Sequence, residues 1–297
     1  MPLDAAAPVT YAGGVTAVPT GGALAADIIG LDLSRQLSAE AVAGIKQAWG
    51  DHLVLRFRGQ ELDDEALTGF SAHFGKLDRA PIASARRGED QQPGYVLLIS
   101  NIIENGRPIG GLGDGESKWH TDMSYAEEPP YASCLYAVEV PPQGGNTGYA
   151  NMYRAYETLP AELKRFVETH SCKHDASRNS AGELRRGFSE TDDARSVPGA
   201  VHPLVIRHPS TGRLALYLGR RLNAYIPGLS LEESERMLDA LWTHATQPEL
   251  CWYQEWRVGD VVMWDNYSTM HRRDPFDPST RRLLRRTQVS GLRYATV

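Results

Sequence analysis

Two residues of metal-ligating types lie one position apart in the segment KWHTDMSY, which spans residues 118–125. His120 and Asp122 flank Thr121, and residues i and i+2 of a β-strand point to the same face of a sheet. A strand here would let His120 and Asp122 bind one ion while Thr121 faces away. The alternative is a polar pair in a strand or turn without a metal, so a third ligand is needed to separate the two interpretations.

A candidate for that third ligand, His271, follows the segment GDVVMWDN at residues 259–266. The segment is typical of a buried strand that turns at Asp265 and Asn266, and we expect His271 just past the rim of a β-barrel. Two histidines and a carboxylate with open positions form the facial triad of non-haem iron(II) oxygenases, whereas copper and structural zinc prefer softer ligands. The other candidates are His202, at a strand start, and His174, in a segment without periodicity.

An arginine-rich segment, RRLLRRTQV, follows at residues 281–289. In a strand, Arg282, Arg286 and Gln288 would share one face, so two arginines would point inward. A buried guanidinium is costly unless an anion meets it, and a dicarboxylate is such an anion. The alternative is an edge strand whose arginines are all solvated.

The surrounding elements are a few helices and many short strands. Helical periodicity with capping residues predicts helices at 38–50, 63–75, 160–169 and 230–246. Strand patterns separated by Gly, Pro and Asn occur at 52–59, 95–100, 133–140, 204–208, 214–219, 260–266 and 283–292. Short strands in this order predict a mainly β fold with flanking helices, a barrel or jelly roll. Three stretches without periodicity, which we expect to be lids or disordered loops, lie at 79–94, 101–118 and 171–200.

Composition excludes several classes of protein. The 297 residues carry a formal net charge of −6 and no dense basic run, so we expect no nucleic-acid partner. Cys134, Cys172 and Cys251 lack CxxC spacing, which argues against a disulfide framework or a zinc ribbon. The N-terminus lacks signal-peptide features and no apolar run reaches about 18 residues, so we expect a cytoplasmic chain that does not enter a membrane.

The chain resembles the TauD/TfdA family, the taurine and 2,4-dichlorophenoxyacetate dioxygenases. The resemblance runs from about residue 22 to about residue 292 and rests on the order and spacing of several segments, namely GALAADIIGLDLSRQL, LVLRFRGQ, FGKLD, WHTDMSY, PPQGGNTGYANMYRAYETLP, HPLVIRHPSTGRLALYLG and VVMWDNYSTMHR. It implies a double-stranded β-helix (jelly-roll) core. We expect one such domain over residues 1–297.

The resemblance also implies an activity and the residues that support it. The family uses iron(II), 2-oxoglutarate and O₂, and its His-x-Asp…His ligands correspond to His120, Asp122 and His271. The distal carboxylate of 2-oxoglutarate would be held by Arg282 and by Thr147 of the segment GGNTGY. The expected reaction hydroxylates a small molecule, with or without subsequent bond cleavage, and releases succinate and CO₂.

The substrate is expected to be an anion. The formal charges of iron(II), Asp122, 2-oxoglutarate and Arg282 cancel, so an inward Arg286 would need a partner. That partner could be the substrate, 2-oxoglutarate itself or an acid such as Glu116. The resemblance disfavours taurine as the substrate. Taurine-cleaving members share a histidine at the position of Ala80, and an asparagine is expected at the position of Glu116. The residues expected to line the substrate pocket are Asn101, Glu116, Met123, Ser124, Tyr125 and Arg286.

Two other classes of protein fit parts of the pattern. A cupin-like metal-dependent hydrolase or isomerase would not need Arg282 or Thr147. A non-catalytic jelly-roll binding module would not need His271. The expected partner is a small-molecule substrate, and the sequence leaves open whether the chain forms a homo-oligomer.

Overall fold

The computed structural model describes residues 7–80, 94–114, 117–185, 187–191, 193–219, 222–291 and 294–296. Five α-helices lie in these ranges: α1 Ala39–His52, α2 Asp64–Ala72, α3 Met152–Glu157, α4 Ala161–Val167 and α5 Leu231–Ala245. The strands are β1 Val9–Thr10, β2 Thr16–Pro19, β3 Ala26–Ile29, β4 Val54–Phe57, β5 Leu97–Ser100, β6 Ile103–Glu104, β7 Arg107–Pro108, β8 Gly111–Leu112, β9 Ser117–His120, β10 Ala132–Glu139, β11 Thr147–Asn151, β12 Ser171–Lys173, β13 Val201–Pro203, β14 Val205–Arg207, β15 Leu214–Leu216, β16 Cys251–Gln254, β17 Val261–Asp265, β18 Thr269–Arg273, β19 Leu283–Val289 and β20 Ala295–Thr296.

The four helices predicted from periodicity are confirmed as α1, α2, α4 and α5. The Ser38 side chain caps α1, and Ser230 and Glu233 form a capping box at α5, as their spacing indicates. Helix α3 was not predicted, because its six residues are too few for a periodic pattern. It packs against α5, where His244 Nε2 lies 2.9 Å from the carbonyl oxygen of Ala155.

The larger sheet contains nine strands in the order β1-β2-β3-β4-β17-β10-β19-β5-β8. Its neighbours are antiparallel except for the pairs β3–β4 and β5–β8. Strand β19 lies between β10 and β5, so it is an interior strand, and the alternative of a solvated edge is wrong. One face of β19 packs against α2, where Thr287 and Ser71 hydroxyls are 2.6 Å apart.

The smaller sheet contains four antiparallel strands in the order β16-β11-β18-β9. It lies against the larger sheet: Trp264 of β17 packs on Tyr149 of β11, with ring centroids 5.7 Å apart. Arg56 of β4 similarly lies over the ring of Trp252 in β16, at 5.4 Å. The described residues form a mainly β structure of two facing sheets with helices outside, and their strands do not close into a barrel.

Three smaller groups of strands and the loops complete the described structure. They are the sheet β15-β14-β20 and the pairs β12-β13 and β6-β7. Segment 101–118, expected to be a lid or a disordered loop, contains three short strands and the first half of β9, whereas the strand in the described part of 171–200 is β12. Most of 79–94 lies outside the described residues. Within the described ranges, no helix combines the length and apolar character that a bilayer crossing requires. Cys134, Cys172 and Cys251, all within the described ranges, form no disulfide.

Helix α1 provides a test of the packing. A Cβ atom added at Gly44 would lie 2.1 Å from the carbonyl oxygen of Ala12, whereas one added at Gly50 of the same helix would meet nothing closer than 4.0 Å. We expect Gly44→Ala to lower the free energy of unfolding by about 1–3 kcal/mol through overpacking. Gly50→Ala should raise it by about 0.5–1 kcal/mol through helix propensity. Urea unfolding followed by circular dichroism measures the free energy of unfolding of both variants. A Gly44→Ala variant that is more stable than the unmodified protein would contradict the close contact between Gly44 and Ala12.

Candidate metal centre

The three predicted ligands lie together between the two sheets. His120 ends β9, His271 is at the centre of β18, and the two are Cα partners with ring centroids 4.2 Å apart. Asp122 Oδ1 lies 3.6 Å from His120 Nε2 and 3.9 Å from His271 Nε2. All three side chains are buried. Because one ligand atom of each lies within 4.8 Å of the others, an ion with bonds of about 2.1 Å could bind all three after small adjustments.

Two details of the predicted geometry are wrong. Asp122 does not share a strand face with His120, because β9 ends at His120 and Asp122 lies in the following turn. His271 lies inside β18 rather than just past a barrel rim. The two histidines therefore meet through strand pairing, and the carboxylate reaches them from a turn.

The turn that carries Asp122 is held by Asn266, which is fully buried between β17 and β18. Asn266 Oδ1 accepts a hydrogen bond from the Asp122 backbone N–H at 2.9 Å. Its Nδ2 donates to the carbonyl oxygens of Asp122 at 3.0 Å and Pro130 at 2.8 Å. Sequence reasoning assigned Asn266 only to a turn. Its position after an apolar strand and shortly before a ligand was the available signal.

The turn before β18 is also fixed by the buried carboxylate of Asp265, which His208 contacts. Asp265 Oδ1 accepts from the backbone N–H groups of Tyr267 and Ser268, at 2.9 and 2.8 Å. Its Oδ2 lies 2.8 Å from His208 Nε2. Since His208 Nδ1 accepts from the backbone of Thr211, Nε2 must carry the proton that is donated to Asp265. Sequence reasoning did not identify this support.

His120 is oriented by its own strand. Its Nδ1 lies 2.7 Å from the carbonyl oxygen of Lys118, which can only accept, so Nδ1 carries the proton. This assignment leaves the lone pair of Nε2 facing Asp122 and His271. Neutral histidines oriented in this way by a second hydrogen bond are typical metal ligands.

The two carboxylate oxygens of Asp122 contact different groups. Oδ1 faces the histidines, while Oδ2 accepts from Arg286 Nη1 at 3.1 Å and from Ser133 Oγ at 3.4 Å. Burial would raise the pKa of Asp122, but Arg286, then His271 and His120, hold it well below its usual range. The group is therefore a carboxylate at neutral pH. Arg286 thus has an anionic partner in Asp122, which removes the argument that it must be met by a substrate or by Glu116.

A cavity extends from the ligands toward a second group of polar residues. It is lined by Ile99, Ser117, His120, Leu135, Thr147, Trp264, His271, Arg272, Arg273, Arg282 and Arg286. We call His120 and His271 the metal row, and Ser117, Arg273 and Thr147 the anion row, since each row consists of Cα partners across the small sheet. A β-bulge in β9 spaces Ser117 three residues from His120, so that both face the cavity.

The anion row lies opposite Arg282, which directly precedes β19 and is 2% exposed. Arg282 Nη2 donates to the carbonyl oxygen of Gly145 at 3.2 Å, while its Nε has no hydrogen-bond partner among the described residues. Burial, with Arg273 nearby, lowers the pKa of Arg282 to about 9. Thr147 Oγ1 accepts from Trp256 Nε1 at 3.0 Å, so its own hydrogen remains available for donation. This end of the cavity is suited to an anion.

The other residues expected in a substrate pocket lie in several places. Asn101 is not among the cavity-lining residues; its Oδ1 accepts from the Arg282 backbone N–H at 3.0 Å, which fixes the chain before β19. Met123 has a φ of 48°, Ser124 is fully buried, and the Tyr125 ring lies under the Arg185 guanidinium at 4.6 Å. Met123, Ser124 and Tyr125 lie in the turn after Asp122, and Tyr125 contacts segment 171–200. Glu116 lies outside the described residues.

The two alternative third ligands lie away from the triad. His202 Nε2 is 2.9 Å from the carbonyl oxygen of Ala126, and Nδ1 contacts the Tyr294 hydroxyl. The ring of His174 stacks on Tyr217 with centroids 5.7 Å apart. Neither belongs to the group of ligand atoms around Asp122, which is formed by His120 and His271 within the described ranges.

Comparisons with known proteins show what the chain as a whole is similar to. A family model described as "Taurine catabolism dioxygenase TauD, TfdA family" matches residues 16–288. Pentalenolactone F synthase of Streptomyces avermitilis is 34% identical over 92% of this chain and 92% of its own. The alpha-ketoglutarate-dependent 2,4-dichlorophenoxyacetate dioxygenase of Cupriavidus pinatubonensis is 33% identical over 92% of this chain and 96% of its own. The crystal structure of a taurine dioxygenase from Burkholderia xenovorans gives a TM-score of 0.74 at 32% identity, covering 98% of this chain and 91% of the other.

The two asparagines provide a matched test of the site. Asn266→Ala removes the two hydrogen bonds between the Asn266 side chain and the Asp122 backbone, which we call the Asn266 clamp. We expect metal affinity to fall about 10–100-fold, as for other residues that orient ligands. Asn101→Ala removes a comparable bond to the backbone of Arg282 and should leave metal affinity unchanged. Calorimetric titration of each folded variant with Mn²⁺ measures the difference. Equal affinities for Asn266→Ala and the unmodified protein would refute the clamp.

Proposed function

The chain belongs to the TauD/TfdA family of dioxygenases, and we propose that it is an iron(II)- and 2-oxoglutarate-dependent dioxygenase that hydroxylates a small organic anion. The observation that carries this proposal is the pair of rows in one cavity, a metal row next to the Asp122 carboxylate and an anion row facing Arg282. When bound, iron(II) and 2-oxoglutarate would supply the oxidation, in which O₂ is consumed, 2-oxoglutarate becomes succinate and CO₂, and one oxygen atom enters a C–H bond.

The residues of the chain would hold these two groups at opposite ends of the cavity. His120, Asp122 and His271 would bind iron(II) through two nitrogens and one oxygen, a donor set suited to that ion. Arg282 and Thr147 would hold the distal carboxylate of 2-oxoglutarate. The two rows are two residues apart along β18, or about 6.7 Å at the rise of an antiparallel strand. That spacing is comparable with the separation of the two ends of a five-carbon dicarboxylate.

We propose that the substrate lies on the other side of His120, under segment 171–200. A hollow there is lined by Lys118, Trp119, His120, Asn179, Ser180, Gly182 and Leu222. The Lys118 backbone N–H donates to the carbonyl oxygen of Ser180 at 3.1 Å, so this segment covers β9 next to the ligand. Met123, Ser124 and Tyr125 would support the same region. Such a cover would exclude water from the reacting C–H bond.

An anionic substrate is supported by the charges around the cavity. Iron(II), Asp122, 2-oxoglutarate and Arg282 would be neutral together, so Arg286, although it is hydrogen-bonded to Asp122, would leave one positive charge beside the metal ligands. The relative from Cupriavidus pinatubonensis is named for 2,4-dichlorophenoxyacetate, which carries a carboxylate. We propose a carboxylate or sulfate ester as substrate and not taurine, given Ala80.

The fold supports the same proposal and weakens its alternatives. We propose that the two facing sheets are a double-stranded β-helix (jelly-roll) core in a single domain; most of the buried apolar residues among those described form one continuous cluster. A metal-dependent hydrolase or isomerase would have no use for buried Arg282 beside Thr147. A binding module without catalysis would have no use for a buried three-ligand group.

Removal of one ligand tests the metal assignment. His271→Ala should reduce succinate formation to background and weaken Fe²⁺ binding, while His202→Ala, which alters a histidine outside the group, should keep both if it folds. Anaerobic titration of the unmodified protein with Fe²⁺ should give a weak visible absorption band only when 2-oxoglutarate is also present. A His271→Ala variant that binds iron and turns over normally would move the third ligand to another residue.

A substrate panel tests the proposed charge. Aryloxyacetates, alkyl sulfates, taurine and neutral amide analogues of the best acid would be compared by succinate release and by matched product. We expect the best substrate to be a carboxylate or sulfate and its amide to react at least about tenfold more slowly, because a charge-assisted hydrogen bond is lost. Equal rates for the acid and its amide would exclude an anionic substrate.

A further inference from the structure

The cavity contains a second buried arginine that the sequence comparison with the family did not assign to any ligand. Arg273 is 6% exposed and lies two residues after His271 in β18. Its Cα partners are Thr147 on one side and Ser117 on the other, so it occupies the centre of the anion row. Residues two apart on a strand share a face, so Arg273 faces the same cavity as His271 and lies next to the metal row.

The side chains of Arg273, from the smaller sheet, and Arg282, which directly precedes β19 of the larger sheet, both lie next to the ring of Phe276. The guanidinium of Arg273 lies 5.6 Å from the centre of the Phe276 ring, and that of Arg282 lies 5.8 Å from it. The buried Phe276 ring therefore contacts both cations and limits their orientations. Two guanidinium groups held near each other in the interior repel one another. Asp114 also lies near Arg273, and an anion between the two arginines would further offset their repulsion.

Two hydroxyl groups complete the arrangement. Ser117 Oγ is buried and has no hydrogen-bond partner among the described residues, and the Thr147 hydroxyl has a free hydrogen because its oxygen accepts from Trp256. Ser117 and Thr147 flank Arg273 on neighbouring strands and line the cavity. A carboxylate has two oxygens that can accept about four hydrogen bonds, which matches two guanidinium groups and two hydroxyls.

We infer that Arg273 is a second anchor for the distal carboxylate of the co-substrate, acting with Arg282, Thr147 and Ser117. This inference rests on the proposed function. The consequence is selectivity: a 2-oxo acid with a second carboxylate would engage both arginines, whereas a 2-oxo acid with an alkyl end would engage neither. The site would therefore discriminate 2-oxoglutarate from 2-oxobutyrate and related monocarboxylates more strongly than one arginine allows.

Arg273→Met tests the inference. We expect the KM for 2-oxoglutarate to rise about 10–100-fold with kcat changed less than about threefold, since a charge-assisted bond is lost in binding. The preference for 2-oxoglutarate over 2-oxobutyrate, as a ratio of kcat/KM, should fall by a similar factor. Arg273→Lys should recover part of the loss because it keeps the charge. An unchanged KM in Arg273→Met would overturn the inference.

Arg285→Met is the matched control. Arg285 lies on the opposite face of β19 from Arg286, where its Nη1 donates to the carbonyl oxygen of Leu62 at 3.2 Å and its Nε lies 3.4 Å from Asp64 Oδ1. It is a partly buried arginine outside the cavity lining, so its loss should leave the KM for 2-oxoglutarate unchanged. If Arg273→Met does not fold, Arg273→Lys decides, since a KM equal to that of the unmodified protein would overturn the inference.

A binding measurement separates this inference from the proposed function. Glutarate, a five-carbon dicarboxylate without the keto group, would be titrated calorimetrically into metal-free protein, with butyrate as the monocarboxylate comparison. Glutarate binding that weakens in Arg273→Met and not in Arg285→Met supports the anchor even if no succinate is formed, an outcome in which the proposed function alone fails. Glutarate binding that Arg273→Met leaves unchanged, or the absence of glutarate binding, overturns the anchor.

Discussion

Strand β18 pairs with β9 on one side and β11 on the other, and this register positions both ends of the cavity. The pairing places His271 beside His120, and two residues further on it places Arg273 between Ser117 and Thr147. A slip of one residue would turn both groups away from the cavity, since side chains alternate between faces. The turn before β18 is held by Asp265 and Asn266, so the start of the strand is fixed together with the backbone of Asp122.

Buried cations distinguish the interior of this protein from an ordinary apolar core. Arg273 and Arg282 are almost completely buried, and Arg286 is paired with Asp122 between the sheets. A buried guanidinium reduces stability unless an anion or other acceptor meets it, which agrees with the proposed anion at the Arg282 end of the cavity. The cavity therefore differs between its ends: the Asp122 carboxylate and two histidines lie at one end, and Arg273 and Arg282 lie at the other.

Much of the structure could be predicted from local patterns. Helical periodicity and capping residues located α1, α2, α4 and α5, and the alternation in β19 placed Arg282 and Arg286 on the inner face. Strand β11 escaped prediction because all five of its residues are buried, which removes the alternation on which strand prediction depends. Thr147 was identified only through the resemblance to the family.

The site could be predicted less completely, because its supports act across long distances in the sequence. His120, Asp122 and His271 were identifiable as a ligand set by residue type, whereas the clamp by Asn266 depends on contacts with the backbone of residues far from it. Arg273 was not singled out, because two adjacent arginines after a histidine are typical of an exposed segment. Its burial follows from the partners of β18, which local sequence does not specify.

The order of strands in the larger sheet has a consequence for how the protein reaches its folded state. Strand β17 pairs with β4, so that Val261 lies beside Phe57, and β10 inserts between β17 and β19. Pairings between such distant segments form slowly, because a long loop must close before the contact stabilises it. His271 and His120 are themselves brought together by a pairing of distant segments, β18 and β9. The nascent chain therefore offers no complete site, and we expect iron to enter a protein that has already folded.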